Sequence, residues 1–357
     1  MSSSLDLWRH RTDAQIAATL AAVSRPVVEA VPSATEILEP LERYAAGGKR
    51  LRALLLLASH RAHGGEAGDA AVALAAALEL FQTAALLHDD VLDDSDTRRG
   101  GPAAHRMIES LHRSRGWAGP ADDFGAAGAV LSGDLALMAC QRAVGAACAQ
   151  ADVDPALLSG LFSDMADLVT AGQYADMRAA AQPLEHLADQ EDEIVAVMRA
   201  KTASYSAEYP LALGAAVAGA NPDAVEAMRA IGRRLGVAFQ LRDDVLGLVG
   251  APATTGKPAG DDLREGKRTI LVWHAWRHGD EDTRAAIAAV MGDRDASDAA
   301  VERGVAAVVA TGATTAVEAR IAALTDEARR LLSDCDLDDA GAAVLNDLVT
   351  ALVDRAA

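Results

Sequence analysis

The stretch that decides the fold is QTAALLHDDVLDDSDTRRG, residues 82–100. It begins as an apolar, alanine-rich run without proline or glycine, which predicts a helix. It ends in five carboxylates within eight residues, followed by Arg98, Arg99 and Gly100. Aspartates crowded onto one helix repel one another, so this end of the helix needs cations as partners.

Two of these aspartates, Asp89 and Asp93, are four residues apart. Residues at that spacing share one face of a helix and lie one turn from each other. Oxygen ligands on one face suit Mg²⁺, which takes one or two carboxylates and completes its shell with water and substrate phosphates. Arg98 and Arg99 add forked donors that match phosphate oxygens. The alternative is a solvated acidic helix end, as charge runs usually are.

The composition favours helices over sheets. The chain has 357 residues, of which 51% are hydrophobic but only 3% are aromatic, and sheets use more β-branched and aromatic residues. The net charge of −19 argues against nucleic acid and anionic membranes as partners. With three cysteines and no CxxC spacing, neither a disulfide framework nor a zinc site is expected.

We expect the protein to work in the cytoplasm without a transmembrane segment. The N-terminal residues 1–20 contain no apolar signal region. The apolar run Leu51–Ser59 is too short to cross a bilayer, and no run is expected to approach the required length of about 18 residues. An apolar substrate is still compatible with this composition, because a bundle of helices can enclose an apolar tunnel.

The pattern along the chain predicts an all-α protein, a single bundle of long, mostly antiparallel helices around a central cavity. Residues 1–12 are expected to form a flexible arm, and residues 13–357 to form one domain. Pro26 and Pro32 are expected to divide the helical pattern of residues 13–46. The long helices are predicted at residues 69–96, 123–149, 155–181, 189–219 and 223–249.

A second acidic pair, Asp243–Asp244, lies near the C-terminal end of a long apolar helix, as Asp89–Asp90 does. Phe239 and Val245 are among its apolar neighbours, and carboxylates in such surroundings usually have partners or a task. Two facing helices that bring carboxylates to one cavity would form a clamp for several metal ions around a diphosphate. The alternative is a surface patch of one arginine and two aspartates.

Basic residues recur beside these carboxylates, which is unexpected in so acidic a chain. Lys49 and Arg52 follow a double glycine at the start of a predicted helix, where free N–H groups and the helix dipole favour phosphate. Lys201 interrupts an alanine-rich helix, and Lys257 and Lys267 flank a loop with two aspartates. Each lysine alone is typical of a solvated surface, but the set predicts anion sites.

Six motifs resemble those of the trans-polyprenyl diphosphate synthases, most closely the geranylgeranyl diphosphate synthase branch. Their order and spacing make the resemblance specific, and it covers about residues 40–350. The motifs are GGKRLR at 47–52, HDDVLDDSDTRRG at 88–100, GQYAD at 172–176, KTA at 201–203, FQLRDD at 239–244 and GKPAGDDLREGKRT at 256–269.

The resemblance implies an enzyme of the isoprenoid synthase fold. It would condense isopentenyl diphosphate with dimethylallyl, geranyl or farnesyl diphosphate by Mg²⁺-assisted ionisation, condensation and proton elimination, giving a trans-polyprenyl diphosphate. Three Mg²⁺ ions per active site and a homodimer are implied as well. The departing diphosphate would accept the last proton, so we interpret His88 as a residue that packs beside the cluster or supports its ligands.

The resemblance also implies a role for each matching residue. The implied metal ligands and supporting carboxylates are Asp89, Asp90, Asp93, Asp243, Asp244 and Asp262. The residues implied for the allylic diphosphate are Arg98, Lys201, Lys257 and Lys267, and those for isopentenyl diphosphate are Lys49, Arg52, Gln82 and Arg99. The groups that would face the allylic cation are Thr202, Gln240 and the backbone carbonyl of Lys201.

Two positions depart from the family pattern. Gln82 stands where many members have histidine, and either side chain can donate a hydrogen bond to phosphate. Gly247 stands where the second acidic motif usually has a third aspartate. Because Asp243 is present, we expect three-metal binding to survive with a lower affinity for Mg²⁺.

Small residues below the first acidic cluster predict a long product. Ala85 is one turn before Asp89, and Ala84 lies beside it. Phe81 is eight residues before Asp89, which is about 12 Å along the helix axis, where it would close the tunnel. We therefore expect the twenty-carbon geranylgeranyl chain. The alternatives are a class I terpene cyclase, which needs no isopentenyl diphosphate site, and a non-catalytic subunit that binds prenyl diphosphates, which only Gly247 favours.

Overall fold

The computed structural model describes residues 2–66, 68–250 and 259–353. Nearly all of the regular structure in these residues is helical, so the predicted all-α class is confirmed. The chain divides into two compact units. The first comprises the residues up to Gly160 together with Leu213–Ala220, and the second comprises Leu161–Ala212 and the residues from Asn221 onward. That residues 13–357 form one domain stays a prediction.

The first unit is built around a long apolar helix, α4, which packs along α6. Its elements are α1 (Ser2–Ala30), α2 (Thr35–Ala45), α3 (Leu51–Ala62), α4 (Asp69–Leu92), β1 (Thr97–Arg98), β2 (Gly101–Pro102), α5 (Ala104–Arg115) and α6 (Ala121–Gln150). The two short strands pair antiparallel, with Thr97 opposite Pro102. They form a small hairpin directly after the acidic end of α4.

The predicted helix of residues 69–96 is α4, which ends at Leu92. It ends there because Asp94 takes the left-handed conformation, with φ of 48°, which an α-helix cannot continue through. The backbone N–H of Ser95 then donates to the carbonyl oxygen of Asp90 at 2.9 Å. The turn directs the chain into β1 and places Arg98 and Arg99 beside the acidic cluster in sequence and in space.

Residues 2–12 do not form the predicted flexible arm. They are the first turns of α1, in which Trp8 and Thr12 are buried. Pro26 also lies inside α1 and does not divide it. The prediction was wrong because the buried stripe of α1 is interrupted by many polar residues. Its burial depends on contacts with α3, α4 and α6, which a local pattern does not reveal.

The second unit continues the helical architecture. Its helices are α7 (Pro155–Ala181) and α9 (Tyr209–Val217), which both belong partly to the first unit, and α8 (Glu191–Val197), α10 (Pro222–Val249), α11 (Asp261–Arg264), α12 (Ile270–His278), α13 (Glu281–Ala288), α14 (Asp298–Ala310), α15 (Ala313–Ser333) and α16 (Asp339–Val353). A π-helical segment, Met198–Glu208, joins α8 to α9. The predicted helix of residues 189–219 is therefore present, but its middle has π geometry.

Two glycines allow α10 to pack closely against the π-helical segment. A Cβ atom at Gly232 would collide with the Cα atom of Glu208, and one at Gly236 would collide with the Cα atom of Ala203. Close backbone approach of this kind needs residues without a side chain. The contact fixes the segment that contains Lys201 against the helix that carries the second acidic pair.

The FQLRDD motif contributes a structural arginine to α10. The Nη2 atom of Arg242 donates to Glu318 of α15 at 2.8 Å, and its Nε atom donates to the carbonyl oxygen of Val353 at 2.9 Å. Arg242 therefore anchors α10 to two later helices, and the aspartates that follow it are held on a fixed helix.

Judged by length and composition alone, α4 and α6 are apolar enough to cross a membrane, and α14 with α15, a pair bent by 59°, would make a third span. The expectation that no apolar run approaches that length was therefore wrong. In the most apolar window of α4, 83% is buried inside the protein, against 44% in α6. Burial on all sides explains why α4 is apolar around its whole circumference.

Candidate active site

Asp90 is the buried member of the first acidic cluster. The hydroxyl of Tyr44 donates to its Oδ2 atom at 2.5 Å, and Arg98 donates to its Oδ1 atom through Nε at 2.9 Å and also through Nη2. The backbone N–H of Ala104 donates to Tyr44 Oη at 3.0 Å, which fixes the phenol. Because both oxygens of Asp90 accept protein donors, we assign it to supporting Arg98 and not to binding metal.

This network keeps Arg98 charged. Burial raises the pKa of Tyr44, and its hydrogen bond to Asp90 raises it further. For Arg98, burial acts to lower the pKa, but the hydrogen bonds and the charge of Asp90 outweigh it, and the pKa rises. The hydrogen bonds from Arg98 to Asp90 use Nε and Nη2 of the guanidinium group and do not use Nη1. Arg98 is therefore a fixed cation that retains a donor for phosphate.

Asp89 and Asp93 are half-buried at the end of α4. The backbone N–H of Asp93 donates to the carbonyl oxygen of Asp89 at 2.7 Å, which places the two residues one helical turn apart as predicted. Their side chains belong to the same face. This pair is therefore the candidate for metal binding in the first cluster.

The remaining carboxylates of the cluster are neutralised by a residue that the sequence analysis did not select. Arg106 of α5 donates to Asp94 and to Asp96, in both cases at 2.8 Å. It also donates to Glu109 at 3.1 Å. A lone arginine outside the six motifs carried no distinguishing signal, because its role depends on the hairpin that folds α5 back toward α4.

This geometry fits Mg²⁺ better than a metal held by protein ligands alone. Among the residues that the structure describes, no three or more His, Cys, Asp or Glu side chains are grouped to hold a metal ion. Mg²⁺ needs no such group, because it takes one or two carboxylates and completes its octahedron with water and phosphate oxygens. Asp89 and Asp93 would supply these carboxylates in the first unit, and Asp243 would do so in the second.

Two residues predicted to bind isopentenyl diphosphate, Arg52 and Gln82, are joined by a hydrogen bond. The Nη1 atom of Arg52 donates to Oε1 of Gln82 at 2.5 Å. Because this bond occupies the amide oxygen, the Nε2 donor of Gln82 is left for a ligand. Gln82 therefore keeps a donor that a phosphate could accept from.

Arg99 lies against the loop that carries Lys49. Its Nη1 atom donates to the carbonyl oxygens of Ala46 at 2.7 Å and Tyr44 at 3.0 Å. A Cβ atom at Gly48 would be only 3.6 Å from Nη2 of Arg99. Lys49 follows directly and is exposed. The structure therefore brings Arg99 and the Lys49 loop together, as the predicted shared role requires.

The N-terminus of α3 is not the open phosphate site that the double glycine led us to expect. The buried Glu79 of α4 accepts a hydrogen bond from the backbone N–H of Ala53 at 3.2 Å. Its Oε2 atom lies 3.5 Å from Nη1 of Arg50. A carboxylate at this position takes one helix N–H group and opposes a second anion. We therefore expect the side chains of Lys49 and Arg52 to hold the diphosphate.

His88 packs against α6. Its Nε2 atom is 3.1 Å from the carbonyl oxygen of Val130. A Cβ atom at Gly133 would collide with the imidazole ring. These contacts agree with the interpretation of His88 as a packing residue.

In the second unit, Lys201 is held by the GQYAD motif. Its Nζ atom donates to Oδ2 of Asp176 at 2.6 Å. A Cβ atom at Gly172 would collide with the backbone nitrogen of Lys201, so glycine allows α7 to approach the π-helical segment. Thr202 follows on the same segment and is half-buried. π-helical turns are rare and occur frequently at functional sites.

Gln173 is a further candidate that the sequence analysis quoted but gave no role. Its Nε2 atom is buried and has no hydrogen-bond partner within the described part of the chain. Buried donors are seldom left without a partner, so this amide is a candidate for donating to a ligand. The sequence signal was its position between Gly172 and Asp176, whose contacts with Lys201 appear only in the structure.

Asp244 is the buried member of the second acidic pair. Burial raises its pKa to about 8, and the charge of Asp262 raises it too. The Nε2 atom of Gln240 donates to Oδ1 of Asp244 at 2.6 Å. This bond orients the amide of Gln240 and leaves its carbonyl oxygen for a cation. Burial and the charge of Asp262 favour the protonated carboxyl of Asp244, whereas a bound metal ion would favour its ionised form.

Asp262 occupies the space beside Gly247. A Cβ atom at Gly247 would overlap the carboxylate of Asp262. The backbone N–H of Gly260 donates to the carbonyl oxygen of Gly247 at 3.0 Å, which holds the two segments together. A carboxylate is therefore present next to position 247, although the residue there is glycine.

The remaining predicted cations, Lys257 and Lys267, follow α10 in the sequence. Lys267 forms an ion pair with Glu265, and its Nζ atom lies 3.8 Å from Oδ1 of Asp262. Lys257 lies outside the described residues. Arg268, which we did not select, is buried, and its Nη2 atom donates to the carbonyl oxygen of Gln182 at 2.7 Å. It therefore fixes the chain after the end of α7.

We predict that Asp90 and Asp89 differ in their effect on stability. D90N removes the charge that partners the largely buried Arg98, which should lower the free energy of unfolding by at least about 2 kcal/mol. D89N relieves the repulsion with Asp93 and should leave stability unchanged or slightly higher. Thermal unfolding followed by circular dichroism, in buffer with a chelator, measures both variants against wild type. An equal loss in the two variants would contradict the supporting role of Asp90.

Known proteins resemble this chain both in sequence and in structure. The profile of the polyprenyl synthetase family matches residues 34–308. A geranylfarnesyl diphosphate synthase of Aeropyrum pernix is 34% identical over 318 residues, which are 87% of this chain and 91% of that protein. A geranylgeranyl diphosphate synthase of Saccharolobus solfataricus is 32% identical over 262 residues, which are 73% of this chain and 72% of that protein.

A solved structure matches over almost the whole chain. It is a geranylgeranyl pyrophosphate synthase from Corynebacterium glutamicum, complexed with isoprenyl diphosphate and magnesium. The two structures superpose with a TM-score of 0.91 and 34% identity, covering 99% of each chain. From its motifs, its all-α fold and these matches, we conclude that the chain belongs to the polyprenyl synthetase family.

Proposed function

We propose that this protein is a trans-prenyltransferase that condenses isopentenyl diphosphate with an allylic diphosphate. Membership of the polyprenyl synthetase family supports this function, as do relatives whose names describe isoprenyl diphosphate synthases. We propose geranylgeranyl diphosphate as the product, formed from dimethylallyl, geranyl or farnesyl diphosphate. The relatives also include a geranylfarnesyl diphosphate synthase, so the product has to be identified by experiment.

The observation that carries this proposal is the group of cations in the first unit. Arg52 is bonded to Gln82, and Arg99 lies against the loop that carries Lys49. The helix that carries Gln82 also ends in the Asp89–Asp93 pair. A synthase binds two diphosphates, one of them through metal ions, whereas a class I cyclase binds only one. Cations that supplement the metal-binding pair therefore favour the synthase.

Asp89, Asp93 and Asp243 are the residues that would hold Mg²⁺ on the allylic diphosphate, and the number of three ions stays a prediction. When bound, Mg²⁺ neutralises the charge that grows on the departing diphosphate. Arg98, fixed by Asp90, adds positive charge to the same group. The other residues proposed for this diphosphate are Lys201, Lys257 and Lys267, with Asp244 and Asp262 supporting the metal ligands.

The allylic cation is stabilised by neutral oxygen atoms that carry partial negative charge and do not react with it. Thr202, the backbone carbonyl of Lys201 and the amide oxygen of Gln240 are proposed for this role. Gln240 is oriented for it, since its Nε2 atom donates to Asp244. The carbon–oxygen bond of the allylic diphosphate breaks to give the cation and pyrophosphate. The double bond of isopentenyl diphosphate attacks the cation to form a carbon–carbon bond, and loss of a proton to the pyrophosphate restores a double bond. This scheme gives His88 no part in proton transfer.

Product analysis tests the proposed function. Purified protein is incubated with Mg²⁺, isopentenyl diphosphate and each allylic primer, and products are identified by mass spectrometry. We expect geranylgeranyl diphosphate and pyrophosphate, with no product when a chelator is present or when Asp89 is changed to asparagine. Hydrocarbon release from geranylgeranyl diphosphate alone would instead establish a cyclase. If the protein binds the diphosphates but forms no product with any allylic primer, it is a non-catalytic subunit.

The residues below the first acidic pair predict the product length. Phe81 and Ala85 lie eight and four residues before Asp89 on α4, close to its face, and Phe81 is buried. Ala84 is buried as well and stays in the prediction as a neighbouring small residue. F81A should lengthen the product, and A85F should shorten it, as read by chromatography of the dephosphorylated products. An unchanged product from both variants would contradict this assignment.

We propose a homodimer formed through α6. Phe124, Leu131 and Met138 are exposed apolar residues seven positions apart on this helix, so they lie along one face. A second copy of the chain would cover this face. Sedimentation velocity should give twice the chain mass of 36.9 kDa, and a monomer at micromolar concentration would contradict the proposal.

The cytoplasmic location stays a prediction that cell fractionation tests.

A further inference from the structure

The loop that leads into α3 has an unusual backbone. Gly47 and Gly48 have φ values of 67° and 95°, and Arg50 has a φ of 52°. Glycine adopts such values at little cost, but a residue with a side chain does so only when other contacts hold it there. Arg50 is also only 6% exposed, which is rare for an arginine without a partner. Its contacts therefore need an explanation.

Three groups from three helices hold the side chain of Arg50. Its Nε atom donates to Oδ1 of Asp13 on α1 at 2.7 Å. Its Nη2 atom donates to the carbonyl oxygen of Ala45, the last residue of α2, at 2.7 Å. Its Nη1 atom lies 3.5 Å from Oε2 of Glu79 on α4. All three nitrogens are therefore occupied by protein groups, so Arg50 is anchored and not presented to a ligand.

The same contacts fix the neighbouring cations. Glu79 also accepts a hydrogen bond from the backbone N–H of Ala53 at 3.2 Å, so one carboxylate holds both Arg50 and the first turn of α3. Lys49 precedes Arg50 directly, and Arg52 follows two residues later. The conformation of Arg50 therefore sets the directions in which Lys49 and Arg52 leave the chain.

We propose that Asp13, Arg50 and Glu79 form a positioning triad for the isopentenyl diphosphate site. Through Asp13, the triad makes the N-terminal helix α1 a determinant of the affinity for that substrate. The inference rests on the proposed function. The members of the triad act through Lys49 and Arg52 and do not themselves contact the substrate.

Steady-state kinetics of two variants tests the triad. D13N weakens the bond to α1, and R50G keeps a backbone that tolerates positive φ but removes the anchor. In both variants the KM for isopentenyl diphosphate should rise about tenfold, while kcat and the KM for farnesyl diphosphate stay within about twofold of wild type. A merely structural role would not separate the two substrates in this way.

D69N is the matched control. Arg11 of α1 donates to Asp69, the first residue of α4, at 3.2 Å, and the side chain of Asp69 is 87% exposed. D69N therefore removes another link between α1 and α4 that does not touch the Arg50 loop. Its kinetic constants and thermal midpoint should match those of wild type.

Two results would overturn the inference while the proposed function stands. One is a KM for isopentenyl diphosphate within twofold of wild type in both D13N and R50G. The other is an equal rise of both KM values that follows the loss in thermal midpoint, which would show a general weakening of the fold. A wild-type protein that makes no prenyl product would instead overturn the proposed function, and the triad's role with it.

Discussion

Repulsion among the aspartates at the end of α4 is the constraint on which the rest of the site depends. Carboxylates one turn apart destabilise a helix unless cations approach them. In this chain Arg98 and Arg106 bind three of the five carboxylates. The buried, apolar body of α4 holds Asp89 and Asp93 in one place, and their shared face has the geometry that a divalent cation uses. In the proposed function, the charge that is costly in the isolated helix is the basis of metal binding.

Several of the cations proposed for the site are held by polar groups before any substrate binds. Arg98 is held by Asp90, and Lys201 is held by Asp176. Because long basic side chains lose conformational freedom when they bind phosphate, fixing them in advance lowers the cost of binding. In a chain of net charge −19, these pairings also keep the cations from being drawn to other carboxylates. The anchoring of Arg50 extends the same principle from a side chain to a loop.

Much of the fold could be predicted from the sequence because helical spacing is a local property. The existence of the long helices and the placement of Asp89 and Asp93 one turn apart follow from it. The features that were missed are contacts between distant segments. Residues 2–12 are ordered by helices far along the chain, Glu79 reaches α3 from α4, and Asp262 fills the space beside a glycine on another helix. No local pattern encodes such contacts.

We propose that the carboxylates at the end of α4, and those at the end of α10, bind divalent metal together with a diphosphate. Anomalous diffraction from crystals grown with Mn²⁺ and pyrophosphate tests it most directly. The account predicts Mn²⁺ within coordination distance of Asp89, Asp93 and Asp243, with pyrophosphate oxygens completing the metal shells. Pyrophosphate bound without metal at Asp89 and Asp93, or Mn²⁺ bound only elsewhere on the protein, would contradict the account.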